Sequence, residues 1–164
     1  MKKLTLLLGA VLALMLVCAG IFWFGGALHA EPRVLTAGAA EYPDVFQSIR
    51  SVLKSGAAPQ TFDGAALGEA DCYTMMDITL TLRNRGFLPA EWLHMELAGE
   101  PGDVAVYSLS GEGTSLPARS EGQVNLKLIT AADPGPGRTV TVEYYVFGVK
   151  RRITVAPPTP GEEE

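Results

Sequence analysis

Few side chains in this sequence could carry out catalysis, and their spacing matches no known catalytic motif. Beyond the apolar N-terminus, Cys72 and His94 are the main pairing of a nucleophile with a base, since His29 lies beside that apolar segment. No G-x-S-x-G elbow, phosphate-binding glycine loop or zinc-protease helix occurs. We therefore expect no enzyme activity. Cys72 is expected to be a half-buried structural residue, and a reactive thiol is the alternative.

Metal and cofactor sites are not expected either. Zinc needs paired histidines or cysteines, whereas His94 stands alone in its segment. The carboxylates near Asp63-Gly64, with Glu69 and Asp71, lack the spacing of a calcium-binding hand. They are expected to be solvated loop acids, with a weak calcium contact as the alternative.

Two basic clusters and one tryptophan are the candidate interaction residues: Trp92, Arg83 and Arg85, and Lys150, Arg151 and Arg152 at a predicted hairpin tip. Such charges commonly sit on strand edges, where they prevent edge-to-edge aggregation, and we favour this interpretation. The alternative is that they bind an anionic wall polymer or an acidic partner.

The N-terminus contains a long apolar run that favours a membrane anchor. It extends over 25 residues, from Leu4 to Leu28, and contains no charged residue. A transmembrane helix needs about 18 such residues or more, whereas the apolar part of a cleaved signal peptide has about 7–15. We predict a single-pass signal anchor over residues 1–30, with cleavage near Ala27 or Ala30 as the alternative.

The charges around this run predict its orientation. Lys2 and Lys3 precede it and should stay cytoplasmic, so the C-terminal part of the chain is expected outside the cell membrane. That part has 11 basic and 18 acidic residues once Lys2 and Lys3 are set aside, a net charge of −7. An acidic exterior part argues against nucleic-acid binding and against strong overall adhesion to anionic lipid.

The exterior part is predicted to be mainly β. Residues 31–40 are expected to form a tether, followed by an amphipathic helix over 42–56 and a loop over 57–71. We expect the helix to pack on the domain rather than lie on a membrane. Six alternating segments then predict strands, at residues 73–82, 92–97, 104–109, 124–130, 139–147 and 152–156.

Six short strands separated by turn residues indicate an antiparallel β-sandwich over residues 73–156. A seventh strand is expected either over 33–37 or over 60–62, and the Pro-rich, acidic residues 157–164 are expected to be a disordered tail. The domain prediction is thus an anchor over 1–30, a tether, helix and loop over 31–72, the sandwich and the tail.

The most distinctive stretch is TLRNRGFLPAEWLHMEL, at residues 81–97. Asn84-Arg85-Gly86 is typical of a turn that leaves a strand, with Gly86 expected at positive φ. Trp92 is expected to bury its ring at the start of the next strand, with an exposed binding role as the alternative. We therefore interpret the stretch as scaffold.

Residues 73–97 resemble bacterial surface modules of immunoglobulin-like fold in which a strand ends in an Asn-x-Gly turn, such as the cell-adhesion-related domain found in bacteria. The resemblance implies an immunoglobulin-like fold and an extracellular setting, and no activity. Together these features predict a membrane-anchored interaction or structural module of a bacterial cell envelope, whose partner is another envelope protein. The alternative is a ligand-binding module for an anionic wall polymer or a small molecule.

Overall fold

The computed structural model of the chain describes residues 2–24, 28–62, 67–131 and 138–158. These residues form two helices, α1 (Lys2–Phe24) and α2 (Pro43–Ser55), with two short 3-10 turns. They also form eight strands: β1 (Leu28–Gly38), β2 (Gln60–Thr61), β3 (Tyr73–Asn84), β4 (Glu91–Ala98), β5 (Asp103–Ser110), β6 (Glu121–Ala131), β7 (Thr139–Val146) and β8 (Val149–Val155). All six predicted strands are present, with ends within a few residues of the predicted ones.

The strands form two antiparallel sheets. One has the order β1-β3-β6-β5-β2 and the other has the order β4-β7-β8. The inward-facing residues of both sheets, such as Ile78 and Leu126 in the first and Val142 and Leu97 in the second, share one buried core. This core follows from the alternation in the sequence, because every second residue of a strand faces the opposite sheet. The chain is therefore a β-sandwich.

Helix α2 packs on the outer face of the larger sheet, as predicted. Pro43 occupies the first turn and Gly56 ends the helix in the left-handed conformation, at φ 69°. Phe46 and Ile49 are buried in a second cluster beneath the helix, together with Ile129 of β6. Tyr42 and Val45, at the edge of the apolar face, remain exposed.

The prediction for residues 28–40 needs correction. Residues 31–38 do not form a tether, because β1 pairs with β3 along its whole length, from Leu28 opposite Asn84 to Gly38 opposite Thr74. The alternative strand prediction over 33–37 is therefore confirmed, and so is a strand at 60–61. Small and charged residues hid the alternation in β1, in which Leu28 and Val34 face the core while their neighbours face solvent.

The predicted anchor boundary also shifts. The N-terminal helix ends at Phe24 rather than continuing to residue 28 or 30, and Leu28 belongs to the sandwich core. The large apolar side chains of the N-terminal helix are exposed at the positions for which side chains are described, for example Leu8 and Leu16. In the part of the chain that the structure describes, no helix meets the length and apolarity of a membrane span.

Candidate functional site

One end of the sandwich gathers most of the predicted interaction residues. The pairing of Leu28 with Asn84 puts the start of β1 beside the end of β3. Glu121 lies opposite Arg83, so the start of β6 and the loop before it are at the same end. In the second sheet, Glu91 at the start of β4 lies opposite Tyr145 near the end of β7. The loops 85–90 and 111–120 and the turn 147–148 are therefore neighbours. We call this the loop end.

Asn84 fixes two of these loops to each other. Its side-chain amide donates to the carbonyls of Leu88 at 2.8 Å, Pro117 at 3.0 Å and Leu116 at 3.2 Å. Its side-chain oxygen accepts a hydrogen bond from the Gly86 N–H at 3.0 Å, which closes the turn. The interpretation of Asn84 as scaffold thus fits its contacts. The expected positive φ at Gly86 is wrong, because it is not among the residues with positive φ.

Bulky side chains stand on unfavourable backbone at the loop end. In the described part of the chain, the non-glycine residues with positive φ are Trp92 at 55°, Arg119 at 54° and Phe147 at 51°. Each belongs to this end, and the left-handed region costs an L-residue about 1–2 kcal/mol. Such strain persists where the surrounding structure imposes it, and it is concentrated at functional sites.

Trp92 does not bury its ring, contrary to the prediction. It lies at a bulge between Glu91 and His94, where two residues of β4 oppose Tyr144 alone. The bulge turns the indole outward, and 69% of the residue is exposed. The alternation in the sequence could not reveal this, because a bulge shifts the side-chain pattern by one residue.

Two residues that the sequence analysis did not select are equally exposed. Phe147 is 73% exposed at the tip of the β7–β8 hairpin, and Phe87 is 63% exposed in the β3–β4 loop. The guanidinium carbon of Arg119 stands 4.6 Å from the centre of the Phe87 ring. The sequence does contain a signal for Phe147. It occupies the first position of the two-residue hairpin turn Phe147-Gly148, where asparagine is favoured and a phenylalanine is unusual.

The two predicted arginines of the first basic cluster differ in their surroundings, because Arg83 lies beside acidic side chains and Arg85 is exposed to solvent. Arg83 lies on the outer sheet face, where its Nη1 is 3.4 Å from Glu31 Oε1 and its Nε is 3.3 Å from Glu121 Oε2. Because β3 lies between β1 and β6, Arg83 is not on an edge strand, and the strand-edge interpretation is wrong for this residue. By contrast, Arg85 is exposed, and so is Arg119, which the sequence analysis did not select. Together with Arg83, they line an open groove of about 410 Å³.

The second basic cluster lies in a strand rather than at a hairpin tip. Lys150 and Arg151 follow the turn and pair in register with Tyr145 and Tyr144. Lys150 Nζ is 2.7 Å from Glu143 Oε2, and this hydrogen bond raises the pKa of Lys150, which therefore stays charged. Arg151 is half-buried, and Arg152 is exposed opposite Glu143.

A second concave region lies between the edges of the two sheets. This cleft of about 310 Å³ has an apolar floor that includes Leu109 and Leu126. His94 Nδ1 pairs with Glu112 Oε1 at its side. Gln60 joins the sheets there, because its amide donates to the Leu97 carbonyl at 2.8 Å and accepts from the Leu97 N–H at 3.2 Å.

The structure does not bring Cys72 and His94 together. Cys72 precedes β3 at the opposite end of the sandwich, so the two residues lie more than about 20 Å apart along the strand direction. The thiol is exposed rather than half-buried. Among the described residues, no group of three or more His, Cys, Asp or Glu could hold a metal ion. Asp63 and Gly64 lie outside the described residues.

Comparisons with known proteins identify no family. No family model matches the chain, and no curated protein matches it. The GAE domain of yeast GGA1 is similar over 57% of this chain and 96% of its own, at 15% identity and a TM-score of 0.40. The cupredoxin domain of amoB from Nitrosocaldus yellowstonii is similar over 84% of this chain and 91% of its own, at 14% identity and a TM-score of 0.37. Similarity at this level concerns the β-sandwich architecture alone.

Proposed function

We propose that the chain is a membrane-anchored interaction module of a bacterial cell envelope, that its sandwich lies outside the membrane, and that it is not an enzyme. The observation that carries this proposal is the loop end, where Trp92, Arg119 and Phe147 present bulky side chains to solvent from strained backbone. Neither strain nor exposure of an aromatic ring stabilises the free domain. A contact made through these side chains accounts for both.

The N-terminal segment supports the anchoring. Its apolar run from Leu4 to Leu28 is uncharged, and the described leucines of α1 are exposed, including Leu7, Leu12 and Leu14. An exposed apolar surface of this extent calls for a covering partner, and acyl chains are suited to a helix that is apolar on all sides. Lys2 and Lys3 favour a cytoplasmic N-terminus.

The strand order supports an immunoglobulin-like sandwich. In constant-type immunoglobulin domains, strands A, B, E and D form one sheet and strands C, F and G form the other. The orders β1-β3-β6-β5 and β4-β7-β8 correspond to these sheets strand by strand, with β2 added beside β5. The loop end then carries the B–C, D–E and F–G loops. Because a fold does not fix a function, the proposal rests on the side chains of these loops.

The test combines fractionation with site-specific cross-linking in native membranes. We expect the full chain to resist alkaline extraction and its sandwich to be digested by protease added to spheroplasts. A photoreactive residue at Phe87 should give a discrete adduct with whatever the loop end contacts, which is either lipid or another envelope protein. The same residue at Leu35, which is exposed on the outer sheet face, is the matched control. Extraction at alkaline pH, protection from protease, or equal labelling at both positions would contradict the proposal.

A second candidate function is a ligand-binding module for an anionic wall polymer or a small anionic molecule. The open groove lined by Arg83, Arg85 and Arg119 favours it. Since Arg83 is already paired with Glu31 and Glu121, Arg85 and Arg119 would supply the binding charge. Soluble anionic wall fragments should raise the melting temperature of the chain but not that of Arg85→Ala/Arg119→Ala. The absence of any shift would eliminate this candidate.

A further inference from the structure

We infer that the loop end lies against the anionic headgroup surface of the membrane that anchors the chain. This inference rests on the proposed anchoring and names the surface that the loop end contacts. Its residues are Phe87, Trp92 and Phe147, with Arg85 and Arg119 beside them, and we call this set the aromatic rim.

The chain connection keeps the aromatic rim close to the end of the N-terminal helix. Phe24 ends α1 and Leu28 begins β1, so four residue steps allow at most about 14 Å between their Cα atoms. Leu28 pairs with Asn84, whose side chain holds the two loops that carry Phe87 and Arg119. Anchoring of the N-terminal segment in the membrane would therefore bring this end of the sandwich to the membrane surface.

The chemistry of the aromatic rim matches a lipid interface. Tryptophan and other aromatic rings lie at the headgroup level, where an apolar ring and a polar edge are both solvated. Arginines attract anionic headgroups, and Arg119 is stacked on Phe87, so a cation and an apolar ring are presented together. The exposed rings lie on three separate segments, the loop 85–90, the start of β4 and the turn 147–148. Rings on three separate segments can contact a wide, deformable surface such as a layer of lipid headgroups at the same time.

The net charge of the exterior part does not oppose this contact. The value of −7 is an average over the whole domain. Arg85, Arg119, Lys150 and Arg152 all belong to the loop end or to the first residues after its hairpin turn. Screening limits the repulsion from acidic groups at the far end, because charges act over about 8 Å at physiological salt. Glu91, Glu112 and Glu121 lie at the same end, so the acids and the bases there nearly balance and the end nearest the helix is not acidic like the rest of the domain.

The experiment places a fluorescent reporter at the aromatic rim of the full chain. Trp23→Phe leaves Trp92 as the sole tryptophan. The variant is reconstituted in vesicles of phosphatidylcholine alone or mixed in equal parts with phosphatidylglycerol, and a fraction of the lipid carries a nitroxide on its headgroup. We expect Trp92 emission to fall at least about twofold with the nitroxide lipid, and to fall further when phosphatidylglycerol is present.

The matched control moves the reporter to the outer sheet face. Trp23→Phe/Trp92→Phe/Leu35→Trp places a sole tryptophan seven residues along β1 from Leu28, about 23 Å from the loop end. Its emission should not respond to the nitroxide lipid. In the Trp92 reporter, Arg85→Ser/Arg119→Ser should abolish the additional effect of phosphatidylglycerol.

Flotation of the same vesicles separates the possible failures. Chains that float with the vesicles while Trp92 stays unquenched and accessible to acrylamide would overturn the inference and leave the anchoring intact. Chains that do not float would overturn both. If a photoreactive residue at Phe87 cross-links to a protein rather than to lipid in native membranes, the aromatic rim contacts a protein and the inference is wrong.

Discussion

Arg138 holds Asp103 in a buried ion pair at the end of the sandwich opposite the aromatic rim. Its Nε is 3.1 Å from both carboxylate oxygens, and its Nη2 donates to Asp103 Oδ1 at 2.5 Å. Nη2 also donates to Thr130 Oγ1 at 3.1 Å, and the Glu100 N–H donates to Asp103 Oδ2 at 2.8 Å. The pair joins the start of β5, the end of β6 and the residue before β7. It therefore ties together the two sheets.

Arg138→Ala should lower the free energy of unfolding by about 3–5 kcal/mol, because it leaves the Asp103 carboxylate buried without a counter-charge. Urea denaturation of the full chain in detergent measures this loss. Arg152→Ala, which removes an exposed cation, is the control and should change stability by less than about 0.5 kcal/mol. Equal effects of the two substitutions would show that the ion pair contributes no stability.

Asn84 gives a second prediction, which concerns the scaffold of the aromatic rim. Asn84→Ala removes the donor to the carbonyls of Leu88, Leu116 and Pro117, and should cost about 2–4 kcal/mol of unfolding free energy. Asn84→Asp retains the acceptor for the Gly86 N–H but places a carboxylate against three carbonyls. It should be at least as destabilising at neutral pH. Wild-type stability of Asn84→Asp in urea denaturation would refute this role of the amide.

The strands, helix α2 and the ion pair of Asp103 with Arg138 show which parts of the fold the sequence predicts and which it does not. Alternation predicts the six main strands because one face of each is buried, and the Pro43 and Gly56 signals predict α2. Asp103 begins β5 and Arg138 directly precedes β7, and only the tertiary fold joins them across 35 positions. Local pattern contains no signal for such a pair.

The candidate site could also be predicted only in part, because contacts between distant residues bring its members together. Trp92, Arg85 and Lys150 stand out by residue type, so the sequence selects them, but their common location follows only from strand register. Phe87 and Arg119 are 32 positions apart and meet through the loops that Asn84 holds together. The exposure of Trp92 depends on a bulge, which alternation cannot predict.

A third prediction concerns alkaline pH and Tyr144, which lies under the loop end. Burial raises the pKa of Tyr144 above its ordinary value of 10.0, and it outweighs the opposing effects of a hydrogen bond with the Leu28 backbone and of Arg151. The folded state thus favours the protonated phenol. This contribution to stability is complete below the unfolded-state pKa, about 10, and is lost as the pH rises through the higher folded-state pKa.

Tyr144→Phe should therefore make the loss of stability above about pH 10 shallower. At neutral pH it should cost about 1 kcal/mol, because the hydrogen bond with the Leu28 backbone is lost. Burial and Asp77 also raise the pKa of Tyr107, so the double variant Tyr107→Phe/Tyr144→Phe should show the shallowest alkaline loss. Urea midpoints across this pH range test the prediction, which fails if Tyr144→Phe retains the wild-type slope.

The fourth prediction separates stability from function at Phe147. Phe147 and Gly148 both have positive φ, at 51° and 74°, in a two-residue turn that favours Asn-Gly. Because the Phe147 side chain is exposed, Phe147→Asn loses little burial and relieves strain on the backbone. It should raise the free energy of unfolding by about 1 kcal/mol, measured by urea denaturation in detergent.

The same substitution should weaken the contact that the aromatic rim makes. With the Trp92 reporter in phosphatidylglycerol vesicles, Phe147→Asn should reduce quenching by the nitroxide lipid, whereas Phe147→Leu should preserve it, because leucine keeps an apolar side chain in the interface. A more stable variant with weaker membrane contact would identify Phe147 as a residue whose strain serves binding. If Phe147→Asn is destabilising, the turn is not strained by the phenylalanine, and the argument from backbone strain fails at this position.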